Sequence, residues 1–248
     1  MAATDYSSYL RIDDLLTLQV PLTPGADDEL LFIVVHQAYE LWFKVVLDEL
    51  RRAASRLHAG EPWRALGPLS RTVDVGRLLL GHLSVLETMS PEEFLRFRDP
   101  LNPASGFQSF QFRAIEFLSG AGDPHSLGFP FFDDRQRAWL AAVAGEPDVW
   151  TGFLASLETL LGPGEVLGRL AELYHDHSTP ERAALHAVAE RLLDHDENLA
   201  TWRHRHLLMA GREIGRRPGT GGSAGMAYLE TTIGQRLYPA LWDVRSAL

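Results

Sequence analysis

Ten histidines and no cysteine stand in this chain of 248 residues, so a metal bound directly by the protein must rest on imidazole, with Asp and Glu as the other donors. Two of the histidines fall on apolar helical stripes. Leu199, Trp202, His206 and Met209 are spaced 3, 4 and 3 apart, which puts the His206 imidazole on one face with an indole and two flexible apolar chains. Phe32, His36, Tyr39 and Phe43 form a second stripe that sets His36 among aromatic rings. Such a pair can serve as a metal ligand and a polar contact inside an apolar pocket, or as core histidines hydrogen-bonded to neighbours. Spacing leaves both open. A non-haem iron or zinc site built on His175/His177 or His204/His206 needs a third ligand, and residues i and i+2 of a helix do not face each other. His175-Asp176-His177 and His195-Asp196 sit beside charges and read as solvated surface.

Two further features could handle an amino acid. Arg98 follows Phe94-Leu95-Arg96-Phe97, so its stem runs between apolar rings, and its guanidinium could grip a carboxylate in bidentate fashion or make an ordinary surface pair. The segment Gly219-Thr220-Gly221-Gly222-Ser223-Ala224-Gly225 lacks the Gly-Lys-Ser/Thr and the preceding strand of a nucleotide loop. It is either a flexible linker or a loop that closes on a ligand.

Composition narrows the classes. Zero cysteines exclude disulfides, thiolate-ligated zinc or haem, iron–sulfur clusters and covalently attached c-type haem. With 23 basic and 33 acidic residues the formal charge is −10, and no basic stripe offers footing for a phosphate backbone, so no nucleic-acid partner is expected. No continuous apolar run approaches the roughly 20 residues that span a bilayer, and the start has no signal-peptide core; no membrane partner and a cytoplasmic location are expected.

The elements that must position these residues are helices. Apolar residues recur at three- and four-residue spacing, while sustained period-two alternation is missing, so the fold class is an all-α helical bundle. After an opening segment closed by Pro21 and Pro24, a long helix runs from the Asp27-Asp28-Glu29 triplet to about His58, followed by helices over about 63–89 and from Ser90-Pro91 to Asn102-Pro103. Further helices are predicted over 105–118, 134–144, 149–161, 165–175, 180–215 and from Met226 to the C-terminus, with loops at 120–130 and 218–225. One domain covers 1–248.

Taken together, the segments resemble the tryptophan 2,3-dioxygenase family of haem-dependent aromatic oxygenases. The similarity runs through Tyr6-Ser7-Ser8-Tyr9-Leu10, then Phe32-Ile33-Val34-Val35-His36-Gln37-Ala38-Tyr39-Glu40-Leu41-Trp42-Phe43, then Leu86-Glu87-Thr88-Met89, Phe94 to Arg98 and Pro103-Ala104-Ser105-Gly106-Phe107-Gln108-Ser109. It ends in Trp202-Arg203-His204-Arg205-His206 and Gly219-Thr220-Gly221-Gly222-Ser223. The resemblance implies haem b with His206 as the proximal iron ligand, dioxygen as co-substrate, and cleavage of the indole C2–C3 bond of L-tryptophan to give N-formylkynurenine, a reaction of tryptophan catabolism. It places His36 beside the indole N–H, Phe32 and Phe94 around the ring, Leu101 against the substrate and Arg98 on its carboxylate. Thr220 meets the ammonium, and Ser105 and Gly106 form the distal wall near the haem. It also implies a homotetramer, a dimer of dimers, in which residues 1–20 are an arm that carries Tyr6 and Tyr9 into a neighbouring subunit's pocket.

The same resemblance admits a second chemistry. Ala224 and Met226 stand where the family usually has serine and more polar residues, and relatives acting on substituted tryptophans insert one oxygen to give oxindole-type products. A haem-binding sensor without catalysis is a third reading, one that has no use for an amino-acid clamp of Arg98, Thr220 and His36.

Overall fold

A computed structural model describes residues 4–248, and among these the secondary structure is helical throughout, with no strand. The first three positions of the arm expected over 1–20 lie outside the described residues. Two short helices, α1 (Tyr6–Leu10) and α2 (Ile12–Leu15), precede the long α3 (Glu29–His58). Then come α4 (Pro62–Leu86), α5 (Pro91–Leu101), α6 (Phe110–Leu118), α7 (Asp134–Ala144), α8 (Val149–Leu161) and α9 (Val166–His175). The 35-residue α10 (Pro180–Ile214) is followed by α11 (Met226–Thr232) and α12 (Pro239–Asp243).

Side-chain caps set half of these starts. Ser90 accepts from the Glu93 amide at 3.2 Å, with Pro91 at the first helical position of α5. Asp133 and Asp148 cap α7 and α8 through the Gln136 and Thr151 amides at 2.7 and 2.8 Å. Each such cap satisfies a helix donor that has no partner within its own helix, worth about 1 kcal/mol.

The bundle is organised around α3. Its Val46, Leu47, Leu50, Ala53 and Leu57 are buried against α4 on one side and α8 on the other, where Ser156 Oγ also donates to the Leu57 carbonyl at 3.0 Å. The long α10 packs along α4, with Asn198 Nδ2 donating to the Val73 carbonyl at 3.0 Å and Arg205 to the Leu80 carbonyl at 2.9 Å, and its Leu185, Val188, Ala189 and Leu192 are buried. Burying each large side chain of this kind contributes roughly 1.5–3 kcal/mol, which is what lets α3 and α10 hold side chains rigidly at their other ends.

Several expectations need correction. The helix expected over 105–118 is two pieces: a 3-10 turn, Gly106–Gln108, capped by Ser105, and then α6, capped by Ser109, whose extended backbone interrupts the helix. The helix expected from Met226 to the C-terminus breaks after Thr232 and resumes at Pro239, a residue that cannot donate to a preceding turn. The second helix stops at Leu86, short of Met89. His195 and Asp196, read as surface, are buried at 7% and 0% exposure. The Asp196 carboxylate accepts from the amides of Leu237 and Tyr238 and from Trp242 Nε1, at 2.9, 3.0 and 2.9 Å, and so ties the C-terminal segment to α10. Finally, α3 is by length and composition apolar enough to cross a membrane, although Glu40 and Lys44 interrupt any continuous apolar run.

Candidate active site

A cavity of about 1020 Å³ opens where the N-terminal half of α3, α5, the start of α6 and the C-terminal third of α10 converge. Pockets for single small molecules span roughly 300–1000 Å³, so this one has room for a large prosthetic group beside a small substrate. Phe32, His36, Phe94, Arg98, Leu101, Ser105, Gly106, His206 and Thr220 all line it. Tyr6 and Tyr9 do not: their side chains stand on the outside at 75% and 76% exposure.

His36 reaches the cavity from α3. Its Nδ1 lies 2.7 Å from the Phe32 carbonyl, an acceptor only, so Nδ1 carries the proton and Nε2 keeps a lone pair. Loss of water lowers its pKa against the opposing pull of that carbonyl, and the ring is neutral at pH 7. Phe32 packs on it at 4.0 Å between centroids and meets Phe94 at 5.8 Å and Phe97 at 5.5 Å, an aromatic wall sized for a flat ring.

His206 comes from α10 and faces the same space. Desolvation, and then the proximity of His36, bring its pKa down to about 4, and no hydrogen bond to its ring is present among the described residues. A neutral imidazole with a free nitrogen aimed into a cavity is the ligating form of histidine. Its plane is set from behind: the ring stacks on Trp202 at 4.9 Å and 18°, Trp202 Nε1 donates to the Tyr39 hydroxyl at 3.2 Å, and that hydroxyl donates to the Leu79 carbonyl at 2.6 Å. Burial pushes the Tyr39 pKa up to about 12, so the relay stays neutral.

Arg98 sits at the mouth with its side chain 15% exposed. Its Nη2 donates to the Pro218 carbonyl at 2.5 Å, Nη1 reaches only the exposed Asp99 at 3.4 Å, and its buried Nε has no partner. A guanidinium this short of partners is suited to an incoming carboxylate. The glycine segment lines the cavity through Gly219, Thr220, Ser223 and Gly225. Thr220 Oγ1 donates to the Ala104 carbonyl at 2.6 Å, leaving its oxygen lone pairs to accept. A Cβ on Gly221 would stand 2.6 Å from Ser105 Cβ, so only glycine permits this approach.

Sequence reasoning missed part of the wall. Glu116 bridges Arg113 at 2.7 Å and Arg203 at 3.1 Å, and Arg113 lies over the Phe107 and Phe112 rings. Glu213, seven residues beyond His206 on the same helical face, lines the cavity as well. Charged residues in helical sequence read as solvent-facing, and only their recurrence at helical spacing with His206 could have marked Arg203 and Glu213 as inward.

The chain matches the tryptophan 2,3-dioxygenase family over residues 1–132 and 164–248. The intervening stretch carries α7 and α8, which pack on α6 and α3 and bring to the cavity wall, among the described residues, Gln136 alone. A protein of Nocardioides sp. named tryptophan 2,3-dioxygenase is 45% identical, covering 100% of this chain and 96% of its own length. Those of the same name from Anaeromyxobacter dehalogenans and Caulobacter vibrioides are 42% and 38% identical, covering 100% and 98% of this chain and 97% and 98% of their own. With its all-helical fold and a match running through both histidine helices, this chain belongs to the tryptophan 2,3-dioxygenase family.

Proposed function

We propose that this protein is a haem-dependent oxygenase that inserts both atoms of dioxygen across the indole C2–C3 bond of L-tryptophan, breaking that bond and forming two carbonyl groups in N-formylkynurenine. The observation that carries the reading is that two neutral histidines from different helices share one cavity with a partner-poor guanidinium. Full-length similarity to relatives named for the ring-opening reaction favours it over single-oxygen insertion.

Haem b suits the donor set: His206 offers an unpartnered neutral nitrogen, its orientation is fixed by Trp202, and the cavity is large and mainly apolar. When bound, haem supplies the activation of dioxygen, and the protein supplies binding and orientation. Arg98 takes the substrate carboxylate, the Thr220 hydroxyl accepts from the ammonium, and Phe32, Phe94 and Leu101 hold the ring. His36 Nε2 accepts the indole N–H and so fixes how the ring lies in the cavity. Electron-rich indole carbons are attacked without prior loss of that proton, so His36 positions the substrate and need not remove it. Ser105 and Gly106 close the distal wall. The arm residues Tyr6 and Tyr9 complete the pocket of a neighbouring subunit in a homotetramer.

The test is to mix reduced, haem-loaded protein with L-tryptophan and oxygen and follow product mass and absorbance. A gain of two oxygen atoms with the kynurenine-type band supports the reading. A gain of one, or no product from haem-loaded protein, overturns it.

A further inference from the structure

An imidazole that ligates a metal is normally oriented by its other ring N–H, which donates to a carboxylate, carbonyl or water and so fixes the rotation of the ring about the metal–nitrogen bond. His206 makes no such bond to a described residue. What lies against its ring is the Trp202 indole, at 4.9 Å between centroids and 18° between planes. A stacked ring has a preferred face but no directed bond, so the indole orients the imidazole only as firmly as the indole is itself held.

Its hold comes from α3. Trp202 Nε1 is a donor only, and its acceptor is the Tyr39 hydroxyl at 3.2 Å. The single proton of that hydroxyl goes to the Leu79 carbonyl at 2.6 Å, so its lone pairs are left for the indole and the direction of both bonds is settled. Tyr39 is buried, and its ring is held edge-on by Phe43 at 5.8 Å and by His82 at 5.7 Å. Phe112 of α6 packs on the indole at 5.5 Å. Tyr39 stands three residues after His36, on the same face of α3, and both line the cavity with Trp202 and His206. One helix thus carries the histidine assigned to the substrate and the hydroxyl that anchors the ring stacked on His206.

We propose that Tyr39 is a positioning residue for the iron ligand: by anchoring Trp202 it fixes the rotation of the His206 imidazole about its bond to the haem iron, and it does so from the helix that carries His36. This rests on the reading of His206 as the haem ligand. Without the hydroxyl, the indole N–H is left inside the protein with no acceptor, and the indole shifts or loosens and carries the stacked imidazole with it.

The experiment compares haem-loaded wild-type protein with Tyr39→Phe, Trp202→Phe and the double variant. Ser156→Ala is the control, since it removes a buried hydrogen bond between α8 and α3 away from the cavity. The readouts are the g-values of the ferric cyanide form by electron paramagnetic resonance, which follow the rotation of the axial imidazole, the iron–histidine stretching band of the ferrous form in resonance Raman, and the thermal midpoint. Tyr39→Phe is expected to shift or broaden both spectra, and to speed haem release to a globin scavenger by up to about tenfold, the worth of one buried hydrogen bond. Trp202→Phe should do the same, and the double variant should go no further than the larger single change, because the two residues act through one contact. Ser156→Ala should lower the thermal midpoint and leave both spectra at wild type. Unchanged spectra in Tyr39→Phe, or effects of the two substitutions that simply add, overturn the proposal. So do spectra that move equally in Ser156→Ala, because the change would then be a general loosening of the core. Failure of the parent reading looks different: the wild type would show no iron–histidine band, or His206→Ala would keep it.

Discussion

Loss of water lowers the pKa of His36, His195 and His206, and each of these rings is anchored differently. His36 is fixed by the Phe32 carbonyl, His195 by the Ser119 hydroxyl at 3.1 Å, and His206 by stacking alone. Among the three, His206 is the one with neither ring nitrogen hydrogen-bonded to a described residue, while His36 and His195 each have one nitrogen held. His206→Ala is expected to abolish the Soret band after haem loading and gel filtration, and added imidazole should restore part of it; haem retention equal to wild type would remove His206 as the ligand. His195 makes a separate claim about pH. Burial lowers its folded pKa to about 4, below the ordinary 6.5, so between those values the unfolded chain holds more protons than the folded one. Its contribution is fully present above pH 6.5 and is lost as pH falls toward 4, on the order of 3 kcal/mol at most. Denaturant midpoints should fall across that window, and His195→Gln should flatten the slope; identical profiles for the two proteins would show that His195 does not carry it.

At the scale of elements, the loop 218–225 is seated on α5 and on the Ser105 turn by three contacts: Arg98 to Pro218, Thr220 to Ala104, and Gly221 against Ser105. Gly221→Ala should push the loop off Ser105 and raise KM for L-tryptophan about tenfold or more while moving the thermal midpoint little, because the loop contributes little to the core; an unchanged KM would mean that the loop does not seat the substrate. The loop's glycines and the helices before it were legible in sequence because their determinants are local. Asp133 and Asp148 are capping residues at the right places, and α7 and α8 start directly after them. The break at Ser109 was not legible: within Gly-Phe-Gln-Ser-Phe a serine can continue a helix or cap a new one, and tertiary packing decides. The cavity stripes at His36 and His206 were readable from period alone. The inward turns of Glu116, Arg203 and Glu213 were not, because a buried charge is recognised only by what surrounds it, and their surroundings come from distant segments.

For the whole molecule, the unexplained surface is the N-terminal arm. Helices of five and four residues bury none of their own side chains and are far too short to be stable alone. Yet Tyr6, Tyr9, Leu16, Val20 and Leu22 are all more than 60% exposed. The arm is tethered where it joins the bundle: the Leu22 and Thr23 amides both donate to the buried Glu29 carboxylate at 2.8 Å, and Gln37 Nε2 donates to the Leu18 carbonyl at 3.0 Å. Nearby on α3, Leu30, Val34 and Leu41 are also exposed. Apolar surface concentrated at one end of a molecule, on a segment with no core of its own, is stabilised when a second subunit covers it, at roughly 25 cal/mol per Å² removed from water. Deleting residues 1–20 leaves the Glu29 tether and every cavity side chain of the bundle intact. The truncated protein should therefore keep its helical content and haem binding, run at a lower oligomeric mass in light scattering than the full chain, and lose at least tenfold in kcat/KM for L-tryptophan. If both proteins show the same mass and the same kcat/KM, the arm neither joins subunits nor completes a neighbour's pocket, and Tyr6 and Tyr9 leave the site.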